Sequence, residues 1–357
     1  MVPLLVIVLG CNQNGGGTAS TAGPPDLATS SSATTSDMAI TATGGSDLAS
    51  TGGSAADLAG AKWTLEDAHG LAVNGIFAAS ANDVWAIGMA SGGATGAILH
   101  STGNGQWAQL QTTSSAPRAI WAASAHDIWV GGAAGLLLHT VDGVTWTAST
   151  FWSSRATQEI AAIWGSGAND LYVSTMVSAD GTTGLYHSTG GDSWTAVPLP
   201  TMTGPLSIWG SAASDLYGVD NAILHSAAGS AWMAQATGAG ASAVWGSGAQ
   251  DIYVAASGGA NAGSAILHST GDGHWTQQIA LAKYNGLNRI WGASAIDVWG
   301  VGSNQFGTTY YPVVVHSNGD GTWSSVSVPE QAGYLRAVAG SGGQLFIGGD
   351  GGVLHLH

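Results

Sequence analysis

The chain has 357 residues, only 8% of them charged, and its 6 Lys and Arg against 21 Asp and Glu give a formal net charge of −15. A phosphate-backbone binder needs a basic stripe, so this balance excludes nucleic acid as a partner. The single cysteine, Cys11, excludes an internal disulfide, and no apolar run reaches the roughly 18 residues that a spanning helix needs.

In chain order, Val2 to Gly10 form a short apolar run that ends Val8-Leu9-Gly10-Cys11, with no Lys or Arg before it. A cysteine after a small residue at the end of such a run resembles the bacterial lipobox. That resemblance implies a signal over residues 1–11, lipidation of Cys11, and an exported lipoprotein held at the outer membrane or cell surface by its lipid alone. Residues 12–60 are almost entirely Gly, Ala, Ser, Thr and Asp, with the phrase Asp-Leu-Ala or Asp-Met-Ala at Asp26, Asp37, Asp47 and Asp57. This composition cannot bury enough apolar surface to offset chain entropy, so it predicts a disordered acidic tether. Its end-to-end reach is on the order of 40 Å.

Residues 61–357 are a repeat. Six histidines are each followed seven residues later by a tryptophan: His100, His139, His187, His225, His268 and His316, with Trp107, Trp146, Trp194, Trp232, Trp275 and Trp323. A seventh histidine, His355, lacks such a partner, while Lys62-Trp63-Thr64 resembles the missing Trp-Thr phrase. Each unit opens on an apolar pair and a turn, as in Ile163-Trp164-Gly165, and continues into a β-rich run after an Asp. A second apolar run then ends in His-Ser or His-Thr, and Trp follows a Gly/Asp turn. Short β-branched and aromatic runs separated by Gly, Asn and Asp predict four strands per unit, A to D. Units begin near Ile76, Ile120, Ile163, Ile208, Val244, Ile290 and Val338. A period of roughly forty residues with four strands predicts an all-β, seven-bladed propeller. Its last blade takes strands A to C from Val338 to His355 and strand D from Lys62 to Glu66. Fifteen of the 16 tryptophans occupy recurring positions and are predicted to pack the core; Trp152 stands outside the register.

At the C-to-D turn, Thr140-Val141-Asp142-Gly143-Val144-Thr145-Trp146 resembles the Asp-box, or BNR repeat, of sialidase-like propellers. The turns Ser269 to Trp275 and Ser317 to Trp323 keep the Ser and Trp but move the Asp by one place, to Asp272 and Asp320. In that family the motif is a structural turn, so the resemblance implies fold and not activity.

Seven histidines invite a metal reading. Positions repeated around a ring cannot converge unless they line its axis, and strand C is third from it, so no metal or other cofactor is expected. The histidines are predicted to bond backbone or the neighbouring Ser or Thr. The Asp before each strand B (Asp83, Asp127, Asp170, Asp215, Asp251 and Asp297) is predicted to cap its turn. The Gly-Asp turns at Asp272 and Asp320 are expected to need no calcium. Sialidase-type catalysis would require an arginine cluster with a Tyr/Glu pair, and the chain holds four arginines and three glutamates, with no matching local motif. No catalytic residue is assigned, and enzyme activity is not expected.

The A-to-B and C-to-D turns keep a nearly constant length. From the Asp before strand B to the strand C histidine, the spacing is 17, 12, 17, 10, 17 and 19. Variable loops on a constant scaffold mark the binding face. The basic residues Arg118, Arg155, Lys283, Arg289 and Arg336 fall between a strand D tryptophan and the next strand A, and aromatics outside the register accompany them: Phe151, Trp152, Tyr284, Phe306, Tyr310, Tyr311 and Tyr334. Aromatic faces with convergent cations suit an envelope or extracellular protein, or a glycan. The leading expectation is a monomeric, non-catalytic envelope propeller that binds such a partner on this face. The alternatives are a sialidase-like glycoside hydrolase acting in the central pocket and a purely structural scaffold.

Overall fold

A computed structural model of the chain describes residues 62–176, 184–200, 204–235, 240–256, 263–282 and 285–357. The proposed signal, Cys11 and the acidic tether lie outside the described residues, as do Lys283 and Tyr284.

The first strand, β1 (Trp63–Glu66), is set aside by the fold until the end. Blade 1 is β2 (Ala72–Ser80), β3 (Asp83–Met89), β4 (Gly96–Ser101) and β5 (Ala108–Thr113). Blade 2 is β6 (Pro117–Ala122), β7 (Ile128–Gly132), β8 (Leu137–Thr140) and β9 (Thr147–Ala148), after which a single helical turn, α1 (Thr150–Ser153), leads out. Blade 3 is β10 (Ile160–Gly167), β11 (Asp170–Thr175), β12 (Leu185–Ser188) and β13 (Thr195–Ala196). Blade 4 is β14 (Ser207–Ala212), β15 (Asp215–Val219), β16 (Ile223–Ala227) and β17 (Met233–Gln235). Blade 5 is β18 (Ala241–Gly248), β19 (Asp251–Ala256), β20 (Ala265–Ser269) and β21 (Thr276–Ala280). Blade 6 is β22 (Asn285–Ser294), β23 (Asp297–Phe306), β24 (Thr309–Ser317) and β25 (Ser324–Ser325). Blade 7 is β26 (Leu335–Ser341), β27 (Gln344–Gly349) and β28 (Gly352–Leu356), completed by β1.

Within each blade the strands run antiparallel in sequence order. The A strands β2, β6, β10, β14, β18, β22 and β26 each touch the next, and β26 touches β2, so the ring closes. The seam is the antiparallel pairing of β1 with β28, Trp63 opposite Leu356 and Glu66 opposite Val353. Closure by the N-terminal strand is therefore as the sequence predicts.

Burial falls outward. Strand B is covered on both faces by the neighbouring blades and reads as a continuous apolar run, buried throughout in β7 and from Ile252 to Ala256 in β19. Strand D faces solvent, and β5 is exposed except at Thr113.

Two tryptophan sets join the blades. Each strand A tryptophan lies against the strand A glycine of the following blade. A Cβ added to Gly246 would stand 2.6 Å from Trp209 Cη2, so only glycine lets the sheets approach this closely. Four of the strand D tryptophans pack edge-on against the strand B aromatic of the preceding blade: Trp146 on Trp85, Trp194 on Trp129, Trp275 on Tyr217 and Trp323 on Tyr253, with centroids 6.1–6.3 Å apart. Trp63 does the same to Trp299 at 6.4 Å, so β1 carries the blade 7 member of the set. Such an edge contact adds about 0.5–1.5 kcal/mol beyond the area it buries.

Candidate functional site

The histidines and aspartates that recur in the sequence are partners of one another. In blades 1 to 6 the strand C histidine places Nε2 2.6–2.8 Å from Oδ1 of the Asp that opens its own strand B, pairing His100 with Asp83, His139 with Asp127, His187 with Asp170, His225 with Asp215, His268 with Asp251 and His316 with Asp297. The ring also lies on the strand B aromatic two residues after that Asp, as His139 does on Trp129 with centroids 3.8 Å apart. The expected bonds from histidine to backbone or neighbouring hydroxyl are thus corrected, and the Asp anchors a side chain across the B–C hairpin. The physical reason is register: Trp85 sits opposite His100, which puts Asp83 on the same face of the sheet.

The Asp-box turn of blade 2 forms as its residue types require. Asp142 Oδ1 accepts from the backbone N–H groups of Val144 and Thr145 at 2.8 and 2.7 Å, and Thr140 Oγ1 accepts from Gly143 N at 3.0 Å. The N–H groups of Thr145 and Val144 hold the Asp142 carboxyl far below its ordinary range. In the shifted turns Asp272 and Asp320 each accept one backbone N–H, from His274 and Thr322 at 2.9 and 2.8 Å, where Asp142 accepts two.

The axis carries a different chemistry. A cavity of about 180 Å³ is lined by strand A residues of blades 1, 2, 3, 4, 6 and 7, and its cationic members are Arg118 and Arg289. A one-residue bulge near the start of strand A turns the chain there, between Pro117 and Ala119 in β6, Leu287 and Arg289 in β22, and Leu335 and Ala337 in β26. In blades 1, 5 and 6 the bulged residue locks onto the next blade: Asn74 Nδ2 donates to Pro117 O, Ser242 Oγ to Leu287 O and Asn288 Nδ2 to Leu335 O, at 2.6–2.9 Å. In blades 2 and 7 the same place is held by Arg118 and Arg336, which turn to carboxylates instead. Arg118 pairs with Glu159, and Arg336 Nη2 lies 2.6 Å from Asp350 Oδ1.

Arg289 differs from both. Its Nη1 donates to Asn288 O at 2.8 Å, and it has no carboxylate partner among the described residues. Burial pushes its guanidinium below the ordinary arginine value. Burial and the charge of Arg336 act likewise on Arg118, so the arginines of blades 2 and 7 feel one another.

An aromatic strip runs outward from these cations. Tyr334 Oη donates to Asn288 Oδ1 at 3.0 Å, and the Arg336 guanidinium lies over the Tyr334 ring at 4.4 Å. Tyr310, on the β23–β24 hairpin, packs edge-on to Tyr334 at 5.0 Å. Tyr311 and Phe306 stand exposed on the same hairpin, Phe306 at 79%. Arg336, Tyr334 and Tyr310 thus stack in sequence beside the cavity that Arg118 and Arg289 line, while Tyr311 and Phe306 lie on the other face of the β23–β24 hairpin.

Phe151, Trp152 and Arg155 belong elsewhere, around α1 in the seam between blades 2 and 3. Trp152 is fully buried against Tyr186 and Trp194, a core plug rather than a loop tryptophan open to ligand. Arg155 caps the Phe151 ring at 3.7 Å and donates to Phe151 O. Asp192 from blade 3 receives Thr150 N, Phe151 N and the hydroxyls of Ser149 and Thr150, which fixes the turn. Of the sequence-predicted residues, then, the structure separates this trio from the axial tract. A further group that sequence reasoning passed over, Glu66, His355 and His357, sits at the seam of blade 7.

Of the residues that sialidase-type catalysis would draw on, Glu159 pairs with Arg118 and the Tyr334 hydroxyl donates to Asn288.

No protein-family model matches the chain, and no curated protein matches it. Solved propellers do. YCF48 bound to D1 peptide matches at 15% identity and a TM-score of 0.61, covering 83% of this chain and 96% of that one. A catalytically inactive virginiamycin B lyase from Staphylococcus aureus with quinupristin matches at 13% and 0.66, covering 83% and 98%. The WD40 propeller domain of Doa1 matches at 11% and 0.60, covering 83% and 96%. At these identities the likeness is one of fold, and the fold serves both a peptide complex and a lyase.

Proposed function

We propose that this chain is a non-catalytic, envelope-tethered propeller that holds a protein partner by capturing an extended acidic segment at the mouth of its axial cavity. The observation that carries the reading is Arg289, a guanidinium lining the cavity with no carboxylate among the described residues to neutralise it. Removing a charge from water is favourable only when it gains a partner, so the site is built for an anion supplied from outside. Arg118 and Arg336 flank it and can exchange Glu159 and Asp350 for carboxylates of the ligand. The tyrosines and Phe306 offer apolar contact at low conformational cost to the rest of the segment. The peptide in the YCF48 complex supports a protein ligand on this fold. The lipobox-like Cys11 and the acidic tether support placement at the outer membrane or cell surface, where the tether lets the monomer reach a neighbouring protein.

The test is selection of displayed random peptides on the purified chain, followed by anisotropy titration of the winners. Enrichment of Asp and Glu is expected, with affinity falling about tenfold or more in Arg289→Met, since charge-assisted pairs contribute about 1.5–3 kcal/mol. Peptides enriched without acidic residues, or bound equally by Arg289→Met, would overturn the reading. Selective retention on a glycan array, or turnover of a sialoside, would replace it with the glycan or hydrolase alternative.

A further inference from the structure

Six blades settle the strand C histidine in one way, and the seventh does not. In blade 7 the place of the strand B Asp is taken by Gln344, whose Oε1 lies 3.0 Å from His355 Nε2. The other ring nitrogen, Nδ1, lies 2.7 Å from Oε1 of Glu66 on β1. Both His355 and Glu66 are buried. With Nε2–H donated to Gln344, the Nδ1 lone pair and the carboxylate oxygen face one another at hydrogen-bond distance, an arrangement that either a proton or a metal cation between them satisfies. His357, two residues further on the same face of the chain, brings a third donor. Its ring lies 3.9 Å from that of His355, its backbone N–H donates to Lys62 O, and one ligand atom from each of Glu66, His355 and His357 falls within 4.8 Å of the others.

We propose that Glu66, His355 and His357 bind a divalent transition metal, zinc in the first instance, that staples β1 to β28. Two imidazoles and a carboxylate are a ligand set for zinc with a fourth position left to water. Ligands about 2.1 Å from a tetrahedral ion stand about 3.4 Å from each other. The Nδ1–Oε1 pair at 2.7 Å has to open slightly and His357 has to draw in. His357 is exposed and can move, and water has access from its side. The second shell is in place: Gln344 orients His355, and Trp107 Nε1 donates to Glu66 Oε2 at 2.8 Å, which holds the carboxylate from blade 1. An ion here would join the first strand of the ring to the last, so metal supply would set how firmly the propeller stays closed.

The experiment uses the full chain, stripped with a chelator and titrated with zinc against a chromophoric competitor, alongside His357→Gln and a control, His126→Ala, at another exposed histidine. One zinc per chain is expected, with affinity at least about tenfold weaker in His357→Gln and unchanged in His126→Ala. Zinc should raise Tm in the parent and control but not in His357→Gln, while all three melt alike in chelator. Cobalt in place of zinc should give tetrahedral visible bands that His357→Gln loses. Binding that is not stoichiometric, or that His357→Gln and the parent share equally, would overturn the site. A Glu66→Gln chain that still folds and binds zinc as the parent does would overturn it independently.

Discussion

Blades 1 to 6 and blade 7 solve the same packing problem with different chemistry. In blades 1 to 5 a part-exposed imidazole meets a part-exposed carboxylate across one hairpin, with side-chain exposures of 16–29%, and the blade 6 pair is less open at 9–11%. In blade 7 the imidazole and carboxylate are both essentially dry, and the carboxylate comes from a strand 289 residues away. A pair open to water contributes little and costs little. A buried pair costs desolvation, and its loss leaves a polar group stranded. The difference teaches that local hairpins are held by cheap, repeated contacts, whereas the seam, which no covalent connection supports, concentrates interactions that fail together.

Deleting residues 61–67 breaks the comparison most severely, because it removes β1, Trp63 and Glu66 at once. Loss of the single cooperative unfolding transition is expected in calorimetry; an unchanged melt would contradict closure by β1. Next, His355→Ala is expected to destabilise by about 3–5 kcal/mol in urea, since the buried Glu66 carboxylate keeps only the Trp107 N–H to offset its desolvation. The matching change in blade 4, His225→Ala, is expected to cost only about 1 kcal/mol, because water can reach Asp215. Equal losses at the two positions would erase the distinction between seam and ordinary blade.

The smallest expected effect is acid sensitivity in the blade 2–3 region. Burial raises the Asp192 carboxyl, but hydrogen bonds from Ser149, Thr150 and Phe151 outweigh it, and the net shift is downward. Asp142 is also lowered, by the backbone N–H groups of Thr145 and Val144. A carboxyl depressed in the folded state contributes stability that is present above its unfolded value, about pH 4, and lost as pH falls below it. Stability should therefore decline below about pH 4, and Asp192→Asn should start less stable yet decline less steeply. Parallel acid curves for parent and variant would show that Asp192 does not take part.

The number of blades, their order and the strand that closes them were legible because each rests on a residue type at a fixed interval, above all the strand D tryptophan whose seventh copy is Trp63. The pairing of His100 with Asp83, and of its five counterparts, was not, although both residues were singled out. Their spacing in sequence runs from 10 to 19 because loops of different length intervene, while the hairpin register keeps them adjacent. The expectation that the cations before strand A share one face meets a cavity that Arg118 and Arg289 line together. What composition could not show is the bulge that sends Asn288 to a neighbouring backbone while Arg289 beside it lines the cavity. Trp152 misled because a residue out of register looks free, whereas the gap after the short β9 needed a large ring to fill it.

The pairing of β1 with β28 also sets an order of events during synthesis. Blades 1 to 6 are each made from consecutive strands and can form as the chain emerges, but blade 7 must wait for its last strand to meet its first. Such distant contacts are slow to form. Until then β28 presents an unpaired edge, the kind of surface on which chains associate wrongly. A lesion in Glu66 or His355 should therefore be felt first as poor yield of assembled protein, before any change in what the finished propeller can hold.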